Sequence, residues 1–377
     1  MNAPPAMIAA WIAAGLSAIG LLQGIAGAVL VRRFVRRPQP EPAAAPPITV
    51  LKPLHGDEPL LEAALASVCQ QNYPAWQVVF GVDDIADTAL PVVYRLQARF
   101  PDCDIAVVVD PTEHGPNRKV GNLINMLLTA KHDVLVIADS DVHAAPNWLR
   151  RLVAALEPAG VGVVTTVYIG LPARGVVATL GAMQINHYFL PGALLARALG
   201  RQDCLGATMM LRRETLERIG GFPALVDHLA DDNVLGRLVQ RLGLTVALAD
   251  TVPATTVSEA TPRALWRHEL RWARTIRALV PAQFAASVLQ YPLAWAALAV
   301  LLSGAAPWSL AWCAVVWTVR AMVARSTDQA LHLANRTPLW LLPLRELMSV
   351  AVMAASYAGR QVDWRGHTLQ AEGFDPR

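Results

Sequence analysis

Asp139, Ser140 and Asp141 close an unbroken apolar run, Val134-Leu135-Val136-Ile137-Ala138. Two hard carboxylates one residue apart suit a divalent cation, Mg2+ or Mn2+, and leave coordination positions open for phosphate oxygens. Such a cation stabilises the charge that builds on a departing phosphate. A second acidic pair, Asp231-Asp232, opens a helical pattern at 233–242, behind the turn Gly220-Gly221-Phe222-Pro223. A carboxylate placed there can take the proton of a hydroxyl nucleophile; alternatively, the pair only favours the positive end of a helix. Asp83-Asp84 and Asp110 also stand where apolar runs end. For any one of them a turn or helix-capping role is the alternative.

The segment 263–277 offers a different chemistry. Arg263, Arg267, Arg271 and Arg274 recur at helical spacing, and Leu265, Trp272, Ile276 and Leu279 fall on another face. A basic amphipathic helix of this kind lies well in a lipid headgroup layer. Its guanidinium forks also hold pyrophosphate better than lysine does, with attachment to anionic lipid as the alternative. The four cysteines, Cys69, Cys103, Cys204 and Cys313, form no C-x-x-C pair. That spacing excludes a structural zinc motif and a disulfide framework, and fits free thiols in a reducing compartment.

Elements must bring these residues together. Apolar strand-like runs at 48–54, 78–83, 105–110 and 134–139 alternate with helical patterns at 59–71, 89–100 and 117–131. This alternation predicts an α/β fold with a parallel sheet covered on both faces. The ligand crevice of such a sheet lies beyond the carboxyl ends of its strands, so the acidic strand ends converge on one crevice.

With 54% hydrophobic and only 16% charged residues among 377, and a mean hydropathy of +0.36, the chain has room for one α/β domain and several membrane segments. A net charge of +3 is too small to suggest nucleic-acid binding. Residues 7–31 carry no charge and are long enough to cross a bilayer, and Arg32, Arg33, Arg36 and Arg37 follow. Basic residues after the apolar run mark an uncleaved anchor, with the rest of the chain entering the cytosol. Residues 278–319 hold two further spans with a hairpin at Ser303-Gly304 to Pro307, and Arg320, Arg325 and Arg336 mark the return to the cytosol. The stretch 339–358 contains Arg345-Glu346. It is a fourth span whose charged pair faces the bundle, the reading preferred here, or an interfacial helix. A fourth span would leave Arg360 and Arg365 outside, against the positive-inside rule.

The sequence resembles the ceramide glucosyltransferase-like glycosyltransferases over nearly its whole length, as far as Val362-Asp363-Trp364-Arg365-Gly366. Within that branch it looks most like the hopanoid-biosynthesis-associated transferases. The resemblance implies a nucleotide-diphospho-sugar transferase domain of the GT-A, Rossmann-like kind, with transmembrane helices at both ends. It maps donor-site roles onto Asp84, as the base contact, and Asp87. The run G-P-N-R-K-V-G-N-L adds Asn117, Lys119 and Asn122. Asp139 and Asp141 take the ribose and metal-diphosphate contacts, Asp231 belongs to the donor site, and Asp232 stands in the general-base position. His187 occupies the place of a histidine that is functional in relatives; from residues alone it reads equally as a core histidine. The final motif, Q or R followed by two residues and R-W, is met by Arg271 and Trp272, while His268 replaces its first member and Arg267 is a substitute for it.

The implied reaction is inverting transfer of a sugar, N-acetylglucosamine from UDP-N-acetylglucosamine, to a hydroxyl of a hopanoid polyol. The alternative is glucosylation of ceramide from UDP-glucose. A processive polysaccharide synthase would need more spans, and a non-enzymatic scaffold would not need the acidic motifs. No protein partner is implied. The expected organisation is an anchor and basic flank at 1–37, a cytosolic transferase domain at 38–260, a basic interface helix at 261–281, transmembrane helices at 282–358 and a tail at 359–377. The whole would sit as a multi-pass protein of the inner membrane.

Overall fold

The computed structural model describes residues 4–359, 361–364 and 367–370. Arg360, Arg365 and Gly366, on which the tail topology and the last resemblance motif draw, lie outside the described residues. The chain forms two compact units: Arg37–Ala173 with Leu199–Ser258, and Met1–Arg36 with Arg174–Ala198 and Glu259–Arg377.

The first described helix is α1 (Pro5–Val35), whose last turn carries Arg32 and Arg33. Then β1 (Ile48–Pro53), α2 (Leu61–Cys69), β2 (Trp76–Val82), α3 (Leu90–Arg99), β3 (Asp104–Val109), α4 (Arg118–Leu127) and β4 (Val134–Ala138) follow in strict alternation. After them come β5 (Val142–His143), α5 (Trp148–Leu156), β6 (Val161–Thr165) and β7 (Ile169–Pro172). An excursion through α6 (Gly175–Gln184), a π-helical turn (Ile185–Phe189) and α7 (Leu190–Ala198) precedes β8 (Thr208–Arg212), α8 (Arg213–Arg218), α9 (Asp231–Arg241), β9 (Thr245–Leu248) and β10 (Ala254–Val257). Helices α10 (Pro262–Leu279), α11 (Pro281–Ala286), α12 (Pro292–Leu302), α13 (Pro307–Ala330) and α14 (Leu342–Ser356) follow. The hairpin β11 (Gln361–Trp364) and β12 (His367–Gln370) is the last described structure.

In the α/β unit the main sheet has the order β3-β2-β1-β4-β8-β6-β9. The first four strands are parallel, as the alternation predicts. The sheet as a whole is mixed, because β8 runs antiparallel to both β4 and β6. The regular strand–helix alternation stops after β4, so the pattern that predicts parallel neighbours does not extend to β8. Central strands β1 and β4 are buried almost throughout, which is why they read as continuous apolar runs rather than as alternating ones. Their core is filled by Ile48, Val50, Phe80, Val136 and Trp148, each at most 1% exposed. A short sheet, β5-β10-β7, fixes the residues after the D-S-D turn.

The other unit is helical. Helices α1 and α13, and the stretch Leu339–Ser356, are each long and apolar enough to cross a membrane. Pro281–Gln290 and Pro292–Leu302 meet at a 69° bend and together make a broken span or a re-entrant loop. The hairpin before α13 turns at Gly304 and Ala305, both with φ near 60°. Residues 174–198, expected in the transferase domain, belong to this unit, consistent with the apolar faces of α6 and α7.

Two charge assignments change. Arg320 is no flanking residue: α13 continues past it, and its buried guanidinium pairs with Glu346 at 3.3 Å. Arg345 and Glu346 are both 0% exposed and do face the bundle, but they pair with different helices. Arg345 makes a bidentate pair with Glu269 of α10, at 2.6 and 2.7 Å. The packed face of α10 is therefore Leu265, Glu269 and Ala273, and Ile276, expected on the apolar face, is 42% exposed.

Removing one partner of a buried pair strands a charge and costs about 3–5 kcal/mol, whereas apolar replacement of both is far milder. Glu269→Met alone should therefore lower the melting temperature in detergent markedly, and Glu269→Met with Arg345→Met should recover most of it.

Candidate active site

Lys119 is the hub of the α/β unit's crevice. It sits in the first turn of α4, whose N-cap, Asn117, accepts the Val120 N–H at 3.1 Å. The Asn117 amide donates to the His228 carbonyl at 2.8 Å and to Asp231 at 3.4 Å. The start of α4 is thereby tied to the start of α9. The Lys119 ammonium lies 2.7 Å from Asp139 and 3.6 Å from Asp231. Burial alone would lower its pKa; the two carboxylates more than offset this and hold it well above the usual lysine range. Asn117, Lys119, Asp139 and Asp231, far apart in sequence, are thus brought into one cluster.

Asp232 follows in the first turn of α9, with one oxygen accepting the Asn233 N–H at 2.7 Å. Burial and the neighbouring Asp231 push its carboxyl up to about 7, against the pull of Lys119. A side chain at Gly206 would meet Asp232 Oδ2 at 2.9 Å, so glycine there leaves the carboxylate its room. A carboxyl poised near neutrality is suited to accepting a proton.

At the end of β4, Asp141 is likewise raised to about 7, by burial first and then by Asp139 and Glu58. Glu58 approaches through Ser140, whose hydroxyl lies 3.5 Å from its carboxylate. Asp139, Asp141 and Glu58 are hard oxygen donors of the kind a divalent cation takes, and they are not among the described groups whose ligand atoms already lie within 4.8 Å of one another. Beneath them Lys52 is fully buried on β1, bonded to the Val142 carbonyl at 3.1 Å. Its burial lowers it to about 8, offset in part by Asp141 and Asp139.

A cleft of about 690 Å³ opens beyond β2, lined among others by His55, Asp83, Asp84, Val109, Pro111 and Arg118. Asp84 is exposed on its rim, with one oxygen accepting the Ala86 N–H at 2.9 Å. Asp87 is only 5% exposed at its side chain and receives the N–H groups of Gly56 and Ala89, so it joins the loop after β1 to the start of α3. Asn122 is buried, donates to the Gly81 carbonyl at 2.8 Å, and braces α4 against β2. Asp110 turns back on Thr112, whose N–H it accepts at 2.9 Å, the local turn role left open by the sequence. His55, Asp83 and Asp87 also have ligand atoms within 4.8 Å of one another. Asp83 is engaged by Arg118 and Asp87 by backbone amides, which leaves this group less open to a metal.

Sequence reading missed Lys52, Glu58, Gly206 and Arg118. Lys52 carried a signal, a lysine inside a strand that is otherwise apolar. Glu58 and Gly206 carried none, since both act through contacts with residues distant in the chain.

Arg271, Trp272 and His187 belong to the helical unit. His268, at the motif's departing position, hydrogen-bonds Glu259 through Nδ1 and stands edge-on to Trp272, with ring centroids 4.6 Å apart. His187 is buried against Asp328 and Thr337.

The fold has a solved counterpart. A mannosyltransferase from Pyrobaculum calidifontis, in complex with GDP-Man and Mn2+, aligns over 93% of this chain and 99% of its own, with a TM-score of 0.53 and 22% identity. The fold is of the GT-A type. The chain belongs to glycosyl transferase family 21, whose model matches residues 12–373. A ceramide glucosyltransferase of Candida albicans is 34% identical over 122 residues, 29% of this chain and 22% of the relative. Ceramide glucosyltransferase 1 of Caenorhabditis elegans is 21% identical over 267 residues, 71% of this chain and 57% of the relative. Both matches span less than two thirds of the relative's own length.

A base with a pKa near 7 accepts protons poorly once the solution is more acidic. Transfer should fall about tenfold per pH unit below about 7. Asp232→Asn should reduce it by about 10²–10⁴-fold with donor affinity preserved. Matching losses of donor affinity would make Asp232 a donor ligand instead.

Proposed function

We propose that this glycosyltransferase is inverting and transfers a hexose from a UDP-sugar to the primary hydroxyl of a ceramide-type lipid. The observation that carries the reading is Asp232, a carboxyl held near neutrality in the same cluster as the D-S-D turn. Asp232 takes the acceptor proton as the hydroxyl oxygen attacks the anomeric carbon, and the bond to UDP breaks in the same displacement. Asp139 and Asp141, with Glu58 beside them, would hold Mg2+ or Mn2+, which when bound supplies Lewis-acid stabilisation of the diphosphate. Lys119 fixes the direction of Asp139, and Asn117 that of Asp231. Asp84, on the rim of the cleft, contacts the nucleotide base. Arg271 offers its guanidinium fork to the pyrophosphate, and Trp272, set by His268, shapes the acceptor site.

The ceramide acceptor takes precedence over a hopanoid polyol, and UDP-glucose over UDP-N-acetylglucosamine, because the curated relatives are ceramide glucosyltransferases. A lipid acceptor also suits a chain with three helices, among the described residues, long and apolar enough to cross a bilayer. Arg32, Arg33, Arg36 and Arg37 after α1 favour a cytosolic α/β unit in a bacterial inner membrane.

Purified protein with Mn2+ should release UDP from UDP-glucose in a ceramide-dependent way and lose that activity in EDTA. Activity only with UDP-N-acetylglucosamine and a hopanoid polyol would move the acceptor and donor while leaving the catalytic residues in place. Arg271→Lys should be severely impaired and Arg263→Lys mild, because bidentate pyrophosphate contact needs the planar fork. Equal effects would reduce α10 to membrane attachment.

A further inference from the structure

Contacts along α1 set a depth scale for the helical unit. Helix α13 runs parallel to α1: the Trp11 and Trp308 rings stack at 3.9 Å, Trp312 Nε1 donates to Ser17 Oγ at 2.8 Å, and a Cβ at Gly24 would meet Val323 at 3.9 Å. Helix α12 runs the other way. Ala299 packs with Ala13 and Ala14, while Leu289 and Pro292, at the 69° bend, lie against Gly20. At about 1.5 Å per residue, Gly20 is about 14 Å from Trp11 and about 17 Å from Val31, near the middle of a span. The bend is therefore at mid-depth, and α12 covers the half that leads back to Trp11. Just before the bend, Gln290 lies beside Gly192, whose neighbour Pro191 packs on Gly27. The chain thus reaches the bend from the arginine-flanked end of α1, and Pro281–Leu302 is a broken span.

The stretch Leu339–Ser356 sits differently on this scale. Its first carbonyl, of Leu339, accepts from Trp317 Nε1 at 3.4 Å, and Trp317 is about 14 Å along α13 from Trp308. Glu346 pairs with Arg320 and accepts the N–H of Leu293, next to the bend, at 2.7 Å. The far end returns to the arginine side. There the Gly359 carbonyl accepts from Arg277 of α10 at 2.6 Å, and the Tyr357 ring lies 5.0 Å from the same guanidinium and 6.1 Å from the ring of Phe284. Both Arg277 and Phe284 come before the bend. The stretch begins near mid-depth and ends where α10 ends, without passing the bend towards Trp11. Arg345, Glu346 and Ser349 face inwards, whereas Trp340, Leu344, Leu347, Ala351, Ala354 and Tyr357 make an exposed stripe at helical spacing. Arg263 and Arg267 are exposed on α10, the helix that Arg345 holds through Glu269. An apolar stripe joined to a basic helix is complementary to the hydrocarbon and anionic headgroups of a single leaflet.

We propose that Leu339–Ser356, though long and apolar enough to cross a bilayer, does not cross it. It lies obliquely in the leaflet on the arginine side of α1, with its exposed stripe against lipid. The chain then crosses three times, through α1, Pro281–Leu302 and α13, and its tail stays on the side where Arg37 emerges. The inference rests on the membrane reading proposed above, with α1 and α13 as spans. It also removes the conflict with the positive-inside rule that a fourth span creates.

The test uses the full-length chain with a different epitope tag at each terminus, in spheroplasts of a bacterial host. Three crossings put the tags on opposite faces, and four put them on the same face. Antibody should reach only the amino-terminal tag before permeabilisation and both tags after it. Access to both tags or to neither before permeabilisation overturns the proposal. Access to the carboxyl-terminal tag alone supports it, while reversing the cytosolic orientation proposed above. Depth is read from nitroxides placed singly by Leu344→Cys, Leu347→Cys, Ala351→Cys and Ala354→Cys, with the native cysteines replaced by serine, in liposomes containing anionic lipid. The ratio of collisions with oxygen to collisions with a polar nickel complex should fall steadily from Leu344 to Ala354. A maximum in the middle that falls off at both ends marks a span and overturns the proposal. Few collisions with either reagent mean that protein covers the stripe, and overturn its contact with lipid.

Discussion

One ammonium group organises the α/β unit. Asp139 at the end of β4 and Asp231 at the start of α9 are brought to Lys119, the only cation directly paired with either among the described residues. Without it two partly buried carboxylates would repel, and their strand end and helix start would have no common partner. Because Lys119 stands in the first turn of α4, capped by Asn117, the same contact fixes the loop before α4 as well. The consequence for chemistry lies in Asp232, which has no such direct pair. Its charge is disfavoured by burial and by Asp231, and this is the condition a proton acceptor near neutral pH requires.

The helical unit meets the same difficulty in an apolar setting. Charges there are paired one by one, Arg345 with Glu269, Arg320 with Glu346, and His187 and Arg325 with Asp328. The pairs of Arg345, Arg320 and His187 join elements distant in sequence, so each specifies which helix faces are neighbours, whereas Arg325 and Asp328 lie in one turn of α13. The basic helix α10 is consequently more than a headgroup-layer helix. Its buried Glu269, between the arginines of the stripe, holds it to α14 and sets the orientation of Arg271 and Trp272 two and three residues further on.

The sequence alone determined the alternation of strands and helices, since apolar runs and helical periodicity are local properties of the chain. It also determined the acidic strand ends and the apolar helices, because a buried central strand and a bilayer span both demand continuous apolar residues. Tertiary structure decided what those residues do. Asp84 and Asp110 look alike as aspartates at strand ends, and Asp87 shares a motif with Asp84, yet one stands exposed at a cleft, one closes its own turn and one joins two loops. Arg320 looks like the basic flank of a span, and becomes the interior partner of Glu346 only when α13 and α14 pack. Glu58, Gly206, Asp328 and Thr337 gave no signal at all. Their roles consist of contacts made across the fold, and hydrogen bonds and ion pairs act over a few ångströms in space, whatever their separation along the chain.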